Sequence, residues 1–404
     1  MTTTDIAIQS EEEEQFQSGP VFTIIGGHFI HDTFTAFVAP LLPVVIQKLS
    51  ITLTQAGALT AFMQLPAILN PFIGYLADKI SLRYFVIFAP AVTATLIGVM
   101  GMSSNYFSLA LLFVLIGVSV AAFHAPTPAM IARLAGGRVG FGMGLYMASG
   151  ELGRTVGPLV AVSAVAAWGL EGIYRLVIIG WVSSAILLWR FRSISSRQYR
   201  KKSESLKSVL PTLRTLFLPV ALIVLCRAFL TVSVTTYLPT FLNFEGSSLE
   251  RAGVLLSLLE GAGVVGALLS GTVSDKFGRK PILLAAFTMS SILMFVFLQV
   301  DGWLMIPVLL LLGFFSLSPQ PVLLALVQDH LPNHRAVANG LYMSISFLLR
   351  SLVLVLVGAA GDRWGLRSTF TISAVISVLS VVPILLLPGG SSDASAMEHT
   401  AASS

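Results

Sequence analysis

The sequence GTVSDKFGRK, from Gly271 to Lys280, repeats a pattern found 197 residues earlier in GYLADKISLR, from Gly74 to Arg83. In both copies a glycine is followed four residues later by an aspartate and then by basic residues. Other strings recur in the same order at nearly the same offset: GLYM at 144–147 and 340–343, LP at 42–43 and 238–239, Arg154 and Arg350, and, less closely, PxP at 126–128 and 319–321. Five such pairs at nearly one offset indicate an internal duplication.

The composition is that of an integral membrane protein. Of the 404 residues, 55% are hydrophobic and only 11% are charged, and the mean hydropathy is +0.87. Soluble domains carry about 25% charged residues, and a spanning helix needs about 20 mostly apolar residues. Twelve apolar segments are predicted to span the membrane, near 20–46, 54–76, 84–102, 106–130, 139–167, 173–190, 215–243, 251–273, 281–299, 303–327, 337–360 and 367–388.

A polar connector separates two sets of six segments. The predicted domains are an acidic N-terminal tail, a six-helix bundle, a basic connector, a second six-helix bundle and a C-terminal tail, at 1–18, 19–190, 191–214, 215–388 and 389–404. Basic residues concentrate on the cytoplasmic side of membrane proteins, and 16 of the 24 fall on the side of the N-terminus. Both termini are therefore predicted to be cytoplasmic. Because the N-terminal tail is acidic, unlike a signal peptide, the first span is expected to stay uncleaved.

Several classes of protein are excluded. Cys226 is the single cysteine, so disulfide scaffolds, cysteine zinc sites and iron–sulfur clusters are out. The chain has no nucleotide-binding G-x4-GK[ST] string, which excludes direct ATP drive. The net charge of +5 is explained by the basic loops between spans rather than by nucleic-acid binding. We expect no enzymatic activity and no cofactor.

The paired loop motifs resemble those that the major facilitator superfamily carries after its second and eighth spans. The first copy departs from the family pattern at Ser81, where a glycine is usual. The resemblance implies an all-α fold of twelve helices in two pseudo-symmetric bundles, with the substrate site between the halves. It also implies a gate, in which the acid pairs with arginine or caps a helix. The gate residues carried over are Gly74, Asp78, Arg83, Gly271, Asp275 and Arg279.

The fifth span resembles the glycine–proline signature of the superfamily's antiporters at Gly153, Gly157 and Pro158. Generic close packing of small residues is the alternative explanation. Three stretches, GHFIHD at 27–32, FHAP at 123–126 and GELGRTVGP at 150–158, resemble the fosmidomycin-resistance branch of drug exporters. This resemblance implies export of a small phosphonate at the expense of the proton gradient, in a bacterial cytoplasmic membrane. Thr127 and Pro128 depart from the branch pattern, which leaves the substrate open.

Charged side chains lie near the centres of several predicted spans. Each costs about 2.5–3.5 kcal/mol on the insertion scale, so such residues usually face a hydrated cavity or pair with one another. His28, His31, Asp32 and Thr35 follow helical spacing and share one face of the first span. The other intramembrane candidates are His124, Tyr146, Glu151, Arg154, Arg227, Glu260, Tyr342 and Arg350.

Proton coupling requires groups that change charge, and histidines and buried carboxylates do so. Asp32, backed by His28 and His31, is the predicted proton carrier, with a structural hydrogen-bonded acid as the alternative. Glu151 and Glu260 are further candidates for coupling, although either could instead pair with an arginine.

Guanidinium groups bind phosphonates and carboxylates bidentately. The predicted substrate-binding residues are therefore Arg154, Arg227 and Arg350, together with His124, Thr35, Tyr146 and Tyr342. The arginines could also simply pair with the buried acids. Metal ligation by His28, His31 and Asp32 is a further alternative. We expect no resident metal, because the nearby arginines would repel a cation.

These patterns predict a proton-coupled antiporter that exports a small anionic or zwitterionic compound by alternating access. Its expected partners are the substrate, protons and the lipid bilayer, and a single chain should contain a complete pathway. An importer of organic anions and a lipid or lysolipid flippase remain alternatives. A sensor without transport is disfavoured because it would not need two gate loops.

Overall fold

The computed structural model describes residues 15–70, 72–73, 76, 82–192, 216–331 and 335–387, with only the backbone described at 335–338. Within these ranges all regular structure is helical. Gly74 and Asp78 of the first gate motif lie outside the described residues, as do most of the tails and of the connector.

Among the described residues, the first half of the sequence forms eight α-helices. The break between α5 and α6 comes at Pro126, which has no N–H to continue the helical ladder. The N-terminus of α5 is capped by the Asn105 side chain, which accepts a 2.9 Å hydrogen bond from the Ser108 amide. The helices are α1 Ser18–Thr35, α2 Val38–Leu49, α3 Leu53–Gln64, α4 Arg83–Val99, α5 Tyr106–His124, α6 Thr127–Leu134, α7 Val139–Trp168 and α8 Val177–Phe191.

The second half also forms eight helices. A π-helical turn, Ser233–Tyr237, joins α9 to α10. The long helix α15 contains a break at Gly365, whose φ of 78° suits glycine, so it comprises two helices in direct succession. The helices are α9 Leu218–Val232, α10 Leu238–Phe244, α11 Leu249–Phe277, α12 Arg279–Phe297, α13 Met305–Leu317, α14 Pro319–His330, α15 Arg335–Leu379 and α16 Val381–Leu385.

Nine helical segments among the described residues are long and apolar enough to cross a membrane. One of them, Asn339–Leu385, holds the two helices that meet at Gly365 and covers two predicted spans. Two further helical segments, the shorter apolar Leu53–Leu69 and the 30-residue α7, match the second and fifth predicted spans. The helices therefore correspond to all twelve predicted segments.

By internal contacts the chain divides into two compact units. Unit one comprises 1–51, 62–201 and 248–257, and unit two comprises 52–61, 202–247 and 258–404. Unit two thus includes the start of α3, where a side chain on Gly57 would collide with the Leu354 carbonyl. In unit one the start of α11 packs on α7, and a Cβ on Gly253 would lie 2.5 Å from a Val162 methyl group. The sequence had not predicted either placement.

Each unit contains one ion pair at equivalent positions of the duplication. In unit one the Lys48 ammonium lies 2.7 Å from the Glu171 carboxylate. In unit two the Arg367 guanidinium lies 2.9 Å from the Glu245 carboxylate. Lys48 corresponds in sequence to Glu245, and Glu171 to Arg367, so the duplicated pair has exchanged its charges. In both pairs the cation also donates to a backbone carbonyl.

Candidate functional site

A cluster of three titratable side chains lies inside unit one. We call His28, Asp32 and His124 the His–Asp cluster. The Nε2 atom of His28 lies 3.3 Å from Asp32 Oδ2 and 3.3 Å from His124 Nε2, and His124 Nε2 lies 3.4 Å from Asp32 Oδ1. His28 and Asp32 are only 3% and 7% exposed. The cluster joins α1 to α5.

Glycines of α7 make room for the cluster. A Cβ on Gly150 would lie 2.5 Å from His28 Cε1 and 2.8 Å from Asp32 Oδ2. One and two turns further on, a Cβ on Gly153 or Gly157 would lie 2.6 Å from a backbone carbonyl of α1. The glycines of the predicted antiporter motif therefore let α7 approach the backbone of α1, as small residues do between membrane helices. Pro158 follows directly within the same helix.

Hydrogen bonds donated by the Nδ1 atoms orient both imidazoles. His28 Nδ1 lies 2.8 Å from the Tyr146 carbonyl and 3.1 Å from Ser149 Oγ. The Tyr146 ring stacks on the His28 ring with centroids 4.0 Å apart. His124 Nδ1 lies 3.0 Å from the Val120 carbonyl. A carbonyl can only accept, so these contacts assign a hydrogen to Nδ1 of each histidine.

The other two predicted residues of the α1 face do not join the cluster. His31 is fully buried and stacks on Phe123 at 4.5 Å, and neither of its ring nitrogens has a hydrogen-bond partner. The Thr35 hydroxyl donates to the Asp32 backbone carbonyl at 2.9 Å. Of the four residues that share one face of the first span, only His28 and Asp32 belong to the His–Asp cluster.

On α7, Glu151 and Arg154 form an ion pair within one turn of the helix. This is the structural alternative considered for Glu151. Tyr146, a predicted substrate-binding residue, is 2% exposed and belongs to an apolar core of unit one, and its hydroxyl has no hydrogen-bond partner. Its ring packs against the His28 imidazole.

Unit two contains two of the three predicted substrate-binding arginines. Arg350 on α15 donates to the Thr235 hydroxyl at 3.0 Å and lies 3.4 Å from that of Thr236. Arg227 on α9 lies 3.4 Å from the Gln320 side-chain oxygen at the start of α14. Arg154 belongs to unit one, Glu260 lies on α11, and Tyr342 is 1% exposed in an apolar core of unit two.

The second gate motif forms an ion-pair network at the junction of α11 and α12. Arg279 contacts Asp275 at 2.5 Å and Asp329, near the end of α14, at 3.1 Å. It also donates to the Ser274 hydroxyl at 2.6 Å. A side chain at Gly271 would meet open space.

Of the predicted gate residues in the first motif, only Arg83 lies within the described residues. There the Arg83 guanidinium stacks over the Tyr84 ring at 5.0 Å.

The His–Asp cluster also places one nitrogen or oxygen of each side chain within 4.8 Å of the others, a spacing at which a metal ion could be held. His124 replaces His31 in the set that the sequence had offered for metal ligation. The positive charge of Arg154 acts on His124 and disfavours a divalent cation there. The absence of a resident metal stays a prediction.

Four polar partners were not singled out from the sequence: Ser149, Thr236, Gln320 and Asp329. Each lies on a different helical segment from the predicted site residue that it contacts: Ser149 contacts His28, Thr236 contacts Arg350, Gln320 contacts Arg227 and Asp329 contacts Arg279. Only Asp329 had a sequence signal, as an acid at the end of an apolar span.

Comparison with known proteins places the chain in a family. The sequence model of the Major Facilitator Superfamily matches residues 24–354. The fosmidomycin resistance protein of Escherichia coli K12 is 24% identical over 383 residues, covering 90% of this chain and 93% of that protein. The uncharacterized MFS-type transporter YfnC of Bacillus subtilis 168 is 23% identical, covering 91% and 92%.

Among solved structures, a bacterial homolog of the human lysosomal transporter Spinster has a similar fold. Its TM-score is 0.74 at 14% identity, with 92% of this chain and 97% of that chain covered.

Proposed function

Because this chain belongs to the major facilitator superfamily, and so is a membrane transporter and not an enzyme, we propose that it exports a small organic anion or zwitterion in exchange for protons. The observation that carries the proposal is the His–Asp cluster. Three titratable groups meet inside a bundle of apolar helices, where an uncompensated charge is costly. A site of this kind can take up and release a proton as its access to water changes.

The polar set in unit two supports an anionic group on the substrate. Arg227 and Arg350 keep their charge at every working pH, and a guanidinium can present two parallel N–H donors to a phosphonate or carboxylate. Arg227 also contacts Gln320, and Arg350 contacts Thr235 and Thr236. The similarity to a fosmidomycin resistance protein favours a phosphonate as the first compound to test.

In the proposed cycle a proton from the outer side binds to the His–Asp cluster. The added positive charge offsets the negative charge of Asp32. Proton release on the cytoplasmic side resets the cycle. Each pH unit across the membrane supplies about 1.4 kcal/mol per proton, so one proton at one pH unit supports about a tenfold substrate gradient. The proposed location is a bacterial cytoplasmic membrane, with both termini in the cytoplasm.

The proposal is tested by reconstituting the full chain into liposomes and imposing a pH gradient. Radiolabelled fosmidomycin should accumulate on the acidic side, and dissipating the gradient with an ionophore should release it. A cluster variant carrying His28→Gln, Asp32→Asn and His124→Gln should show no gradient-driven accumulation.

His330→Gln is the matched control for this experiment. His330 Nδ1 contacts the Leu326 carbonyl at 2.8 Å in the same way that His124 Nδ1 contacts Val120, but it lies in unit two. This variant should behave like wild type. Accumulation on the alkaline side instead would establish an importer and overturn the proposal. Accumulation by the cluster variant equal to that of wild type would remove the cluster from the coupling.

A further inference from the structure

The two imidazoles of the His–Asp cluster face each other through atoms that carry no hydrogen in the neutral side chains. Nδ1 of His28 and Nδ1 of His124 donate to carbonyls, so in each neutral ring Nε2 has only a lone pair. These two Nε2 atoms are 3.3 Å apart, and each lies within 3.4 Å of an Asp32 carboxylate oxygen. Without an added proton, only acceptors would face one another in a site where His28 and Asp32 are buried and the His124 side chain is 33% exposed, which is an unfavourable arrangement.

From this geometry we infer that the proton of the proposed antiport is held on the Nε2 atoms of His28 and His124, with Asp32 as their counter-charge and Ser149 as a positioning residue. The inference rests on the proposed function and assigns the proton to atoms. It differs from the sequence prediction, in which Asp32 was the carrier.

One added proton removes the conflict between acceptors. Bound to His28 Nε2, it can be donated to Asp32 Oδ2 or to His124 Nε2, each 3.3 Å away. The cluster then holds one imidazolium, one neutral imidazole and one carboxylate, and its net charge is zero. No bond between heavy atoms changes: an O–H bond of a hydronium ion breaks as the N–H bond to the Nε2 lone pair forms, and the reverse transfer to water releases the proton. Imidazoles bind protons at higher pH than carboxylates (about 6.5 against about 3.9 when unperturbed).

Ser149 fixes which nitrogen of His28 is available. Its hydroxyl donates to the Tyr146 carbonyl at 2.7 Å, which leaves its oxygen lone pairs free to accept from His28 Nδ1 at 3.1 Å. This second acceptor favours the ring form with a hydrogen on Nδ1, and so keeps Nε2 directed at Asp32 and His124. It also stabilises the protonated ring, in which both nitrogens donate.

The helices packed around the cluster contribute few other charged or titratable groups. Among the described residues, His31 lies one turn away on α1, and Tyr146 and the Arg154–Glu151 pair lie on α7. Within the described ranges, Arg154 places a permanent positive charge near His124, and its ion pair with Glu151 offsets that charge.

The test measures proton uptake with an internal pH dye in proteoliposomes of the full chain, with fosmidomycin added as the probe. His28→Gln and His124→Gln should each reduce fosmidomycin-induced proton flux at least 100-fold, while downhill movement of labelled fosmidomycin continues. Asp32→Asn should keep the flux but move its pH profile toward acid by at least one unit, because an adjacent opposite charge shifts a titration by about one to three units. His330→Gln should leave the flux unchanged.

Ser149→Ala provides a variant that should fold normally. Loss of this hydrogen bond should move the pH profile toward acid by about half to one unit without lowering the maximal flux. Ser351→Ala is its control, since the Ser351 hydroxyl also donates to a carbonyl of its own helix, at 2.9 Å, but lies in unit two. A pH profile for Ser149→Ala identical to that of Ser351→Ala would remove the positioning role.

The outcomes separate this inference from the proposed function. Proton flux that survives in both histidine variants and disappears in Asp32→Asn would overturn the inference and leave antiport intact, with the carboxylate as carrier. No fosmidomycin-induced proton flux in correctly inserted wild type would overturn the proposed function and this inference together.

Discussion

Replacing Asp362 by alanine should release the start of α3 from unit two. Asp362 lies on α15, and its carboxylate accepts hydrogen bonds from the Leu53 amide at 2.8 Å, the Thr54 amide at 2.8 Å and the Thr54 hydroxyl at 2.5 Å. It thus caps α3 from another helix and satisfies amides that have no partner within α3. Close by, the Tyr237 hydroxyl lies 3.1 Å from the Leu53 carbonyl.

The expected magnitude follows from the bonds that are lost. Losing an N-terminal cap costs about 1–2 kcal/mol, and the bond to the hydroxyl adds about 1 kcal/mol at a partly exposed site. The total is about 2–3 kcal/mol, which corresponds to a 30- to 150-fold larger population of the locally opened state. In the proposed alternating-access cycle the ends of the spans move, so this variant should also change the balance between conformations.

Hydrogen–deuterium exchange of the purified full chain in nanodiscs measures the effect directly. Amides of residues 54–61 should exchange about 30 to 150 times faster in Asp362→Ala than in wild type, in the regime where exchange reports local opening. Glu250→Ala is the control, because Glu250 is an exposed acid in the first turn of α11 and its removal leaves the bonds between Asp362 and α3 in place. Unchanged exchange at 54–61 in Asp362→Ala, or an equal increase in the control, would refute the capping argument.

Three further substitutions probe the cluster, an ion pair and an arginine. Gly150→Ala places a Cβ 2.5 Å from the His28 ring and should lower fosmidomycin-induced proton flux at least tenfold. Gly144→Ala is the control, because its Cβ meets open space and the flux should not fall. Equal flux in the two variants would contradict the packing argument. Lys48→Ala removes an ion pair with the Glu171 carboxylate, which is 71% exposed. The midpoint of thermal unfolding should therefore fall by only about 2 °C or less. A much larger fall would show that the pair is essential to unit one. Arg350→Lys keeps the charge but loses the planar pair of donors, so the KM for fosmidomycin should rise at least tenfold with similar maximal flux; an unchanged KM would exclude Arg350 from substrate binding.

The twelve-helix architecture was predictable because its signals are local. Apolar segments of about 20 residues and the repeated strings depend on neighbouring residues in the chain, and the family fold confirms the prediction. The same is true of the contact between His28 and Asp32, since residues four apart on a helix are neighbours. Helical spacing was insufficient for His31 and Thr35, because a shared helix face does not determine what each side chain meets on the next helix.

What the sequence could not supply is the register between helices. His124 was predicted as a substrate-binding residue, and its contact with Asp32 depends on how far α5 slides along α1. The bond from Ser149 to His28 depends likewise on the register of α7, which the close glycine contacts set. The bonds of Asp362 to the start of α3 join residues 308 and 309 positions apart, and no local pattern marks such a contact.

Proton flux in inverted membrane vesicles, energised to an acid interior and followed with a pH-sensitive dye, tests proton-coupled export most directly. Vesicles containing the protein should lose the gradient when fosmidomycin is added, and vesicles without it should not. The cluster variant carrying His28→Gln, Asp32→Asn and His124→Gln should resemble the vesicles without protein. A gradient that persists with fosmidomycin and with a panel of neutral and cationic drugs, in protein shown to be inserted, would contradict proton-coupled export.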